Sequence, residues 1–190
     1  MDFVPLGTDD FAFIANQHVY RGQRGRLVSL DDVIYDPPMR SELRELDRVD
    51  DTLIVLESLF VDGLIHRFDV RGPALMLDSL SIPGIEPQAF AATSTTNFVV
   101  GGASNREAHG WLVPGVPQDL ASNSRFTQDV VFNRSLRQAL VLSQTALWTV
   151  DIDTGAWSSV PFERGGLAEN PFGIVQRRIG STFETWVTAE

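Results

Sequence analysis

Residues 140–157 have the sequence Leu140-Val-Leu-Ser-Gln-Thr-Ala-Leu-Trp-Thr-Val-Asp-Ile-Asp-Thr-Gly-Ala-Trp157. Two short apolar runs are separated by a polar turn, and the second run leads into Asp-Thr-Gly before a further apolar segment. Short runs rich in Val, Leu and Trp between Gly, Asp and Ser clusters are typical of β-strands. The stretch therefore predicts two strands joined by a turn, with a third strand at residues 157–160.

The same pattern recurs along the chain. First strands are predicted to begin at Phe11, Leu53, Phe98, Leu140 and Phe172, a mean spacing of about 40 residues, which is the length of a four-stranded propeller blade. The second strands are predicted at residues 18–20, 64–68, 110–113, 146–150 and 183–187, and further third strands at 26–30 and 74–77. The repeat predicts an all-β fold.

We predict a small β-propeller of about five blades in a single domain spanning residues 1–190. Residues 2–6 are predicted to pair with the last unit, beside Trp186, and to close the ring, because an open strand edge promotes aggregation. A β-sandwich or barrel is the alternative. Residues 40–47, with Leu43 and Leu46 three positions apart, fit either one or two helical turns or a polar strand.

Residues 140–157 resemble a generic propeller blade. Together with residues 173–186 they are faintly similar to the propeller part of bacteriophage tail tube nozzle proteins, although nothing here matches the other domains of those longer proteins. The resemblance implies a virion component, in the tail or associated with the capsid, and carries over no functional residue. All 15 basic residues are Arg, which suggests a GC-rich coding genome such as that of a phage of GC-rich bacteria.

Composition excludes several classes of function. The chain has 190 residues, 43% of them hydrophobic and 21% charged, and is expected to fold without staples. It has no Cys, which excludes disulfides, thiolate catalysis and Cys-ligated zinc. A net charge of −10 disfavours nucleic acid as a partner. We find no signal peptide and no apolar run that could span a membrane, and we expect a soluble protein.

Arg21, Arg24 and Arg26 form the densest group of cations, in a loop with two Gly residues. Guanidinium groups can clamp a carboxylate or phosphate, but the run lacks the Lys and Ser or Thr of a P-loop. A solvated turn, or a contact with acidic patches of a neighbouring subunit, is the simpler interpretation. With His109 and Trp111, these residues are the candidate interface.

No catalytic, cofactor or metal site is predicted. His18, His66 and His109 lie in three separate units without a second ligand nearby, which favours cross-strand or solvent-edge roles. The run from Asp151 to Gly155 resembles the start of a calcium loop, but Phe162 occupies the twelfth position, so we predict a hairpin turn with Gly155 at positive φ.

We predict that the protein is a non-enzymatic structural or interaction module with protein partners, and that it belongs to a larger assembly such as a bacteriophage virion. One alternative is a lectin-like propeller that binds carbohydrate on the rings of Trp111, Trp148 and Trp186. A less favoured alternative is a propeller glycosidase. The catalytic acids of such an enzyme would be Asp9, Asp10, Asp50 and Asp51. Aspartate at these positions is also what a tight turn before a strand requires.

Overall fold

The computed structural model describes residues 3–104, 107–115, 117–121, 127–162, 171–179 and 182–189. These residues form five antiparallel sheets, four of them with four strands and one with two, and the one helical segment among them is a 3-10 turn at Leu30–Asp32. The all-β prediction is confirmed. The number of blades in a closed ring stays a prediction.

The first two sheets are meanders in which each strand pairs with the next along the chain. The first sheet contains β1 (Phe3–Pro5), β2 (Asp10–Ala15), β3 (His18–Gln23) and β4 (Val33–Tyr35). The second sheet contains β5 (Glu42–Val49), β6 (Thr52–Ser58), β7 (Gly63–Asp69) and β8 (Leu75–Ile82).

The next two sheets repeat this topology, and the last is a single hairpin. The third sheet contains β9 (Glu86–Ala92), β10 (Phe98–Ser104), β11 (Glu107–Val113) and β12 (Pro117–Ala121). The fourth contains β13 (Thr127–Asn133), β14 (Gln138–Ser143), β15 (Ala146–Asp151) and β16 (Trp157–Pro161), and the fifth contains β17 (Pro171–Ile179) and β18 (Thr182–Ala189).

All five predicted hairpins are present, as β2–β3, β6–β7, β10–β11, β14–β15 and β17–β18. In the four-stranded sheets they form the two middle strands, so each predicted first strand is the second strand of its sheet. Predicted strands 74–77 and 157–160 overlap β8 and β16. The predicted strand at 26–30 is wrong, because these residues form a loop that leads into the 3-10 turn.

The N-terminal strand pairs locally. Phe3 lies opposite Phe13, and Pro5 opposite Phe11, within the first sheet. A short loop makes this hairpin inexpensive in chain entropy, and the N–H groups of Leu6 and Gly7 donate to the carbonyl of Asp10 at 2.8 and 3.1 Å. The predicted pairing of residues 2–6 with the last unit is therefore wrong for Phe3–Pro5, and Asp2 lies outside the described residues.

Residues 42–49 form strand β5, which decides between the two interpretations of this segment in favour of a strand. Leu43 lies opposite Glu57 and Leu46 opposite Val55, with a bulge between them that adds one residue to β5. The bulge places two residues three positions apart on the same face of the sheet. This geometry explains why the leucine spacing imitates a helical turn.

The chain divides into two compact units. Unit 1 comprises residues 1–87 and 94–96, and unit 2 comprises residues 88–93 and 97–190. The core of unit 1 is built from large side chains such as Leu46, Leu53, Val55, Phe68 and Val19. The main core of unit 2 contains more small residues, including Ala89, Ala91, Ala108 and Ala139 beside Val141. That the chain is a single domain stays a prediction.

Candidate interaction surface

The Arg loop, residues 21–32, runs from the end of β3 to the 3-10 turn. Gly25 turns the chain at a φ of 77°, and the N–H of Arg26 donates to the carbonyl of Gln23 at 3.0 Å. At the other end, the Ser29 side chain accepts from the N–H of Asp31, and the Ser29 N–H donates to the Asp32 carboxylate at 2.8 Å. Glycine and a capped turn therefore replace the strand that the apolar pattern predicted.

Two of the three predicted guanidiniums are paired within the chain. Arg21 donates to Asp10 at 2.8 Å and to the carbonyl of Gly72, and Arg26 lies 3.1 Å from Asp32. The backbone N–H of Ser29, followed by its hydroxyl and by Arg26, holds the pKa of Asp32 below its ordinary value. These pairs balance the local charge, so the geometry does not favour the capture of a free anion.

Arg24 differs from its two neighbours in the Arg loop. Its side chain is exposed, and its backbone N–H donates to the carbonyl of Asp9 at 2.8 Å. The side chain borders a shallow cleft that Phe3, Phe11 and Asp9 also line. Arg26 is exposed as well, so what distinguishes Arg24 is that no carboxylate among the described residues pairs with its guanidinium.

Large apolar side chains project from the Arg loop. Leu27 is 93% exposed and Leu30 is 81% exposed. A cleft of about 170 Å³ lies beside Leu27, with Arg21 and Arg26 in its lining. Arginine beside exposed large apolar groups is a common composition of protein–protein contact sites, in which a few such side chains supply most of the binding free energy.

His109 and Trp111 lie on strand β11 in unit 2, which includes the strand predicted at residues 110–113. Trp111 is only 8% exposed, and its indole N–H donates to the carbonyl of Gly115 at 2.8 Å. The hydroxyl of Thr127 donates to the carbonyl of His109 at 3.2 Å. Trp111 is therefore buried against its own sheet. Its role at an interface stays a prediction, and its burial does not favour that role.

The other proposed sugar platforms differ in exposure. Trp148 is half-buried, and Trp186 on β18 presents an exposed ring. Of the three tryptophans in the lectin hypothesis, only Trp186 therefore offers a face to the solvent.

Of the four acids in the glycosidase hypothesis, Asp9, Asp50 and Asp51 lie in bends or turns, and Asp10 is the first residue of β2. Asp50 has a φ of 53°, a left-handed turn conformation, and the carbonyl of Asp51 accepts from the N–H of Val70 at 3.0 Å. Asp10 is held by Arg21. The turn explanation accounts for these positions.

The predicted turn at Asp151 is present. Its carboxylate accepts from the N–H of Thr154 at 2.8 Å, and Gly155 has a φ of 70° and donates to the carbonyl of Asp151.

A buried polar network joins the first and second sheets, and the sequence did not predict it. The hydroxyl of Tyr35 donates to Glu57 Oε2 at 2.6 Å, and His66 Nε2 lies 2.6 Å from the same oxygen. His66 Nδ1 lies 2.6 Å from the hydroxyl of Ser79. Glu57 and His66 are both buried, and the Tyr35 and His66 rings pack with their centroids 4.6 Å apart.

The network shifts the acidity of its members. Burial alone would raise the pKa of Glu57, but hydrogen bonds from His66, Tyr35 and Ser41 outweigh burial and lower it. Burial, and then the Glu57 carboxylate, raise the pKa of Tyr35. The one signal in the sequence is the placement of Glu57 and His66 inside otherwise apolar runs. The arrangement joins β4 to the second sheet through two hydrogen bonds to Glu57 Oε2, while Glu57 Oε1 is buried and has no hydrogen-bond partner among the described residues.

No helix within the described residues is long and apolar enough to cross a membrane. Those residues also contain no group of three or more His, Asp and Glu side chains placed to hold a metal ion.

No protein-family model matches the chain, and no curated protein sequence matches it. Solved structures with a similar fold include a protein of unknown function from Bacteroides caccae, with a TM-score of 0.63 and 12% identity. The chain covers 93% of its own length and 66% of that protein in this comparison.

Two further structures indicate the type of fold. The tricorn protease matches with a TM-score of 0.59 and 15% identity, and the match covers 97% of this chain and 20% of the protease chain. The WD40 domain of SCAP from fission yeast matches with a TM-score of 0.53 and 12% identity over 92% of this chain and 48% of its own. The chain thus has an all-β, propeller-type fold and spans less than two thirds of each of these three structures. The comparisons do not show the similarity to phage nozzle proteins.

Proposed function

We propose that this chain is a non-enzymatic protein-interaction module that works as a component of a larger assembly, such as a bacteriophage virion. The observation that carries the proposal is the Arg loop. Leu27 and Leu30 project from it, beside the guanidiniums of Arg21 and Arg26 that are held by carboxylates of the same chain. A preorganised guanidinium loses little conformational entropy when a partner binds, which favours association.

The partner would cover the apolar side chains and leave the ion pairs at the rim. A stable contact buries roughly 800 Å² on each side, and a few central anchors supply most of its free energy. Leu27 and Leu30 are the proposed anchors, and Arg24 is the cation available to an acidic group of the partner. The propeller-type fold supports the proposal, because such folds offer many loops on a rigid scaffold.

The virion is the finer part of the proposal. It is supported by the faint resemblance of residues 140–186 to the propeller of phage nozzle proteins and by the use of Arg without Lys. Immunogold labelling of particles purified from the source organism tests it. Regular labelling at one position on the particle is expected, and unlabelled particles would contradict a virion location.

The interaction itself is tested by exchanging the apolar anchors for charge. The partner is first cross-linked to the full chain, and mass spectrometry identifies the contact residues. Retention of this partner by the unchanged chain is then compared with its retention by the double variant Leu27→Asp/Leu30→Asp. The control is Met39→Asp, because Met39 is 96% exposed but lies in the loop between β4 and β5. The double variant is expected to lose at least about tenfold in affinity, and the control to bind as the unchanged chain does.

Two results would overturn the proposal. The unchanged chain could remain a monomer that retains no protein, or the double variant could retain its partner as well as the control does. Far-ultraviolet circular dichroism of both variants separates loss of binding from loss of fold.

A further inference from the structure

The four-stranded sheets protect their outer strands to different degrees. Strand β4 has three residues, β12 begins at Pro117, and β16 ends at Pro161. Short length and proline are common devices that prevent a foreign strand from pairing with a sheet edge. Strand β8 has eight residues and no proline. Among these four outer strands, β8 is therefore the best suited to accept another strand.

The side chains of β8 add to this difference. Seven of its eight residues are exposed, and Leu75 and Leu77 are 65% and 51% exposed. The single charge on the strand, Asp78, is bound by the guanidinium of Arg67, which lowers the pKa of Asp78. Strand β8 therefore carries no unpaired charge that would oppose the pairing of another strand.

The backbone of β8 is regular over its second half. A bulge displaces Leu77, but Asp78–Ile82 pair one to one with residues of β7. In an antiparallel strand, alternate N–H and C=O groups point away from the neighbour. His66 holds Ser79, and Arg67 holds Asp78, so the strand is already ordered before anything binds.

We propose that the outer edge of β8 binds an extended segment of a different protein by strand addition, and that this segment has apolar residues flanked by Lys or Arg. The inference rests on the proposed function and names a second surface and its class of partner. Residues 40–85, the second sheet and its loops, contain 9 acidic residues and 5 Arg. Cationic flanks complement that charge, whereas a second copy of this chain would bring the same acidic surface against itself.

Synthetic peptides test the pairing on the full chain. The probe is Lys-Lys-Val-Thr-Val-Thr-Val-Thr-Lys-Lys, and binding is followed by calorimetry and by hydrogen–deuterium exchange with mass spectrometry. Saturating peptide is expected to slow exchange of residues 75–82 by about tenfold or more. A peptide of the same length with Glu flanks is expected to bind about tenfold more weakly at low salt, and a peptide with two of its Thr replaced by Pro is expected not to bind.

A matched pair of variants locates the site. Leu77→Lys places a cation on the β8 edge and is expected to weaken binding of the Lys-flanked peptide about tenfold, since an edge lysine opposes strand addition. Val160→Lys makes the same change at an exposed position of outer strand β16 and is expected to leave binding unchanged. The comparison of peptides on the unchanged chain needs no variant and stands if Leu77→Lys fails to fold.

Three outcomes would overturn the inference: no protection of residues 75–82, equal binding by Leu77→Lys and Val160→Lys, or concentration-dependent protection of β8 without peptide. The last outcome would identify a second copy of the chain as the occupant. None of them bears on the Arg loop, whose partner is tested with Leu27→Asp/Leu30→Asp. Conversely, β8 can bind its peptide when that double variant retains its partner, which separates failure of this inference from failure of the proposed function.

Discussion

Units 1 and 2 each withdraw a carboxylate from solvent, fully at Glu57 and partly at Asp129, and the two carboxylates have different surroundings. Glu57 in unit 1 accepts from side-chain donors on neighbouring strands, and Asp129 in unit 2 accepts from the backbone N–H groups of Val130 and Ile174 at 2.8 and 2.7 Å. The pKa of Glu57 is lowered, whereas burial raises the pKa of Asp129 in spite of its two donors. Hydrogen-bond donors therefore outweigh burial at Glu57, which is fully buried, but not at Asp129, which is half-buried.

The apolar packing of the units differs in the same way. Large aliphatic side chains surround the network in unit 1, and small residues line the main core of unit 2. A Cβ added at Gly101 in unit 2 would lie 2.1 Å from Thr127 Cγ2, so the side chain of Thr127 occupies the space that glycine leaves. A substitution at Glu57 of unit 1 is thus expected to act by removing polar partners, and a substitution at Gly101 of unit 2 by adding volume against Thr127.

The largest effect is expected from Glu57→Leu. It removes the acceptor that Tyr35 and His66 share and leaves the Tyr35 hydroxyl with only the 3.1 Å contact to His66 Nε2, so the free energy of unfolding should fall by about 3 kcal/mol. Urea unfolding followed by circular dichroism measures the loss. Glu57→Gln keeps an acceptor and the volume and should cost less than half as much. Equal costs would show that the carboxylate is not the centre of the network.

A smaller loss is expected from Gly101→Ala. Thr127 must move to admit the methyl group, and the hydrogen bond from its hydroxyl to the carbonyl of Gly102, at 3.0 Å, opposes that movement. The free energy of unfolding is therefore expected to fall by about 1–3 kcal/mol. The same denaturation experiment applies. Thr127→Ser removes the clashing methyl group and should recover part of the loss in the double variant. Gly72→Ala, where no atom lies within 4 Å of the added Cβ, is the control. Additive effects of the two substitutions would contradict this explanation.

The pH dependence should separate the two carboxylates by sign. Because the folded pKa of Glu57 lies below its ordinary value of 4.5, its stabilisation is present above that pH and is lost on acidification. Because the folded pKa of Asp129 lies above 3.8, its contribution is present below that pH and is lost as pH rises through the folded pKa.

Stability measured from pH 3 to 7 should therefore show two opposite trends. The cost of Glu57→Gln is expected to shrink toward low pH, and the cost of Asp129→Asn to shrink toward high pH, each by no more than about 1–2 kcal/mol. Parallel curves for the two variants would mean that their surroundings do not differ as described.

The smallest effect is expected from Gly155→Ala. The φ of 70° is strained for any residue with a Cβ, so about 1 kcal/mol should be lost. Thermal unfolding measures this change. Gly72→Ala again serves as the control, and equal melting temperatures for the two variants would contradict the turn geometry.

The hairpins could be predicted because the two strands of each hairpin and the turn between them lie in one continuous segment of the sequence. Of the strands that flank the hairpins, β8 and β16 overlap predicted strands, whereas β5 carries a bulge that imitates helical spacing, and β1 pairs with β2 across a four-residue loop instead of with the last unit. The predicted loop at residues 21–26 was correct only for residues 24–26, because Arg21, Gly22 and Gln23 form the end of β3. The apolar residues that follow were assigned to a strand because capping by Ser29 and Asp32 is a weak signal beside a hydrophobic run.

The buried network lies beyond such prediction for a different reason. Tyr35, Glu57, His66 and Ser79 come from four strands of two sheets, and their meeting depends on register. A shift of one residue in any strand would turn its side chain to the other face. Pattern alone shows that a polar residue stands in an apolar run and does not identify its partner.

The division of the chain also divides its chromophores. Tryptophans 111, 148, 157 and 186 all belong to unit 2, and both tyrosines, 20 and 35, belong to unit 1. Indole fluorescence, excited where tyrosine does not absorb, therefore observes unit 2 directly. If its transition coincides with that of the backbone signal, the units unfold together as one domain, whereas a displaced transition would reveal two cooperative bodies.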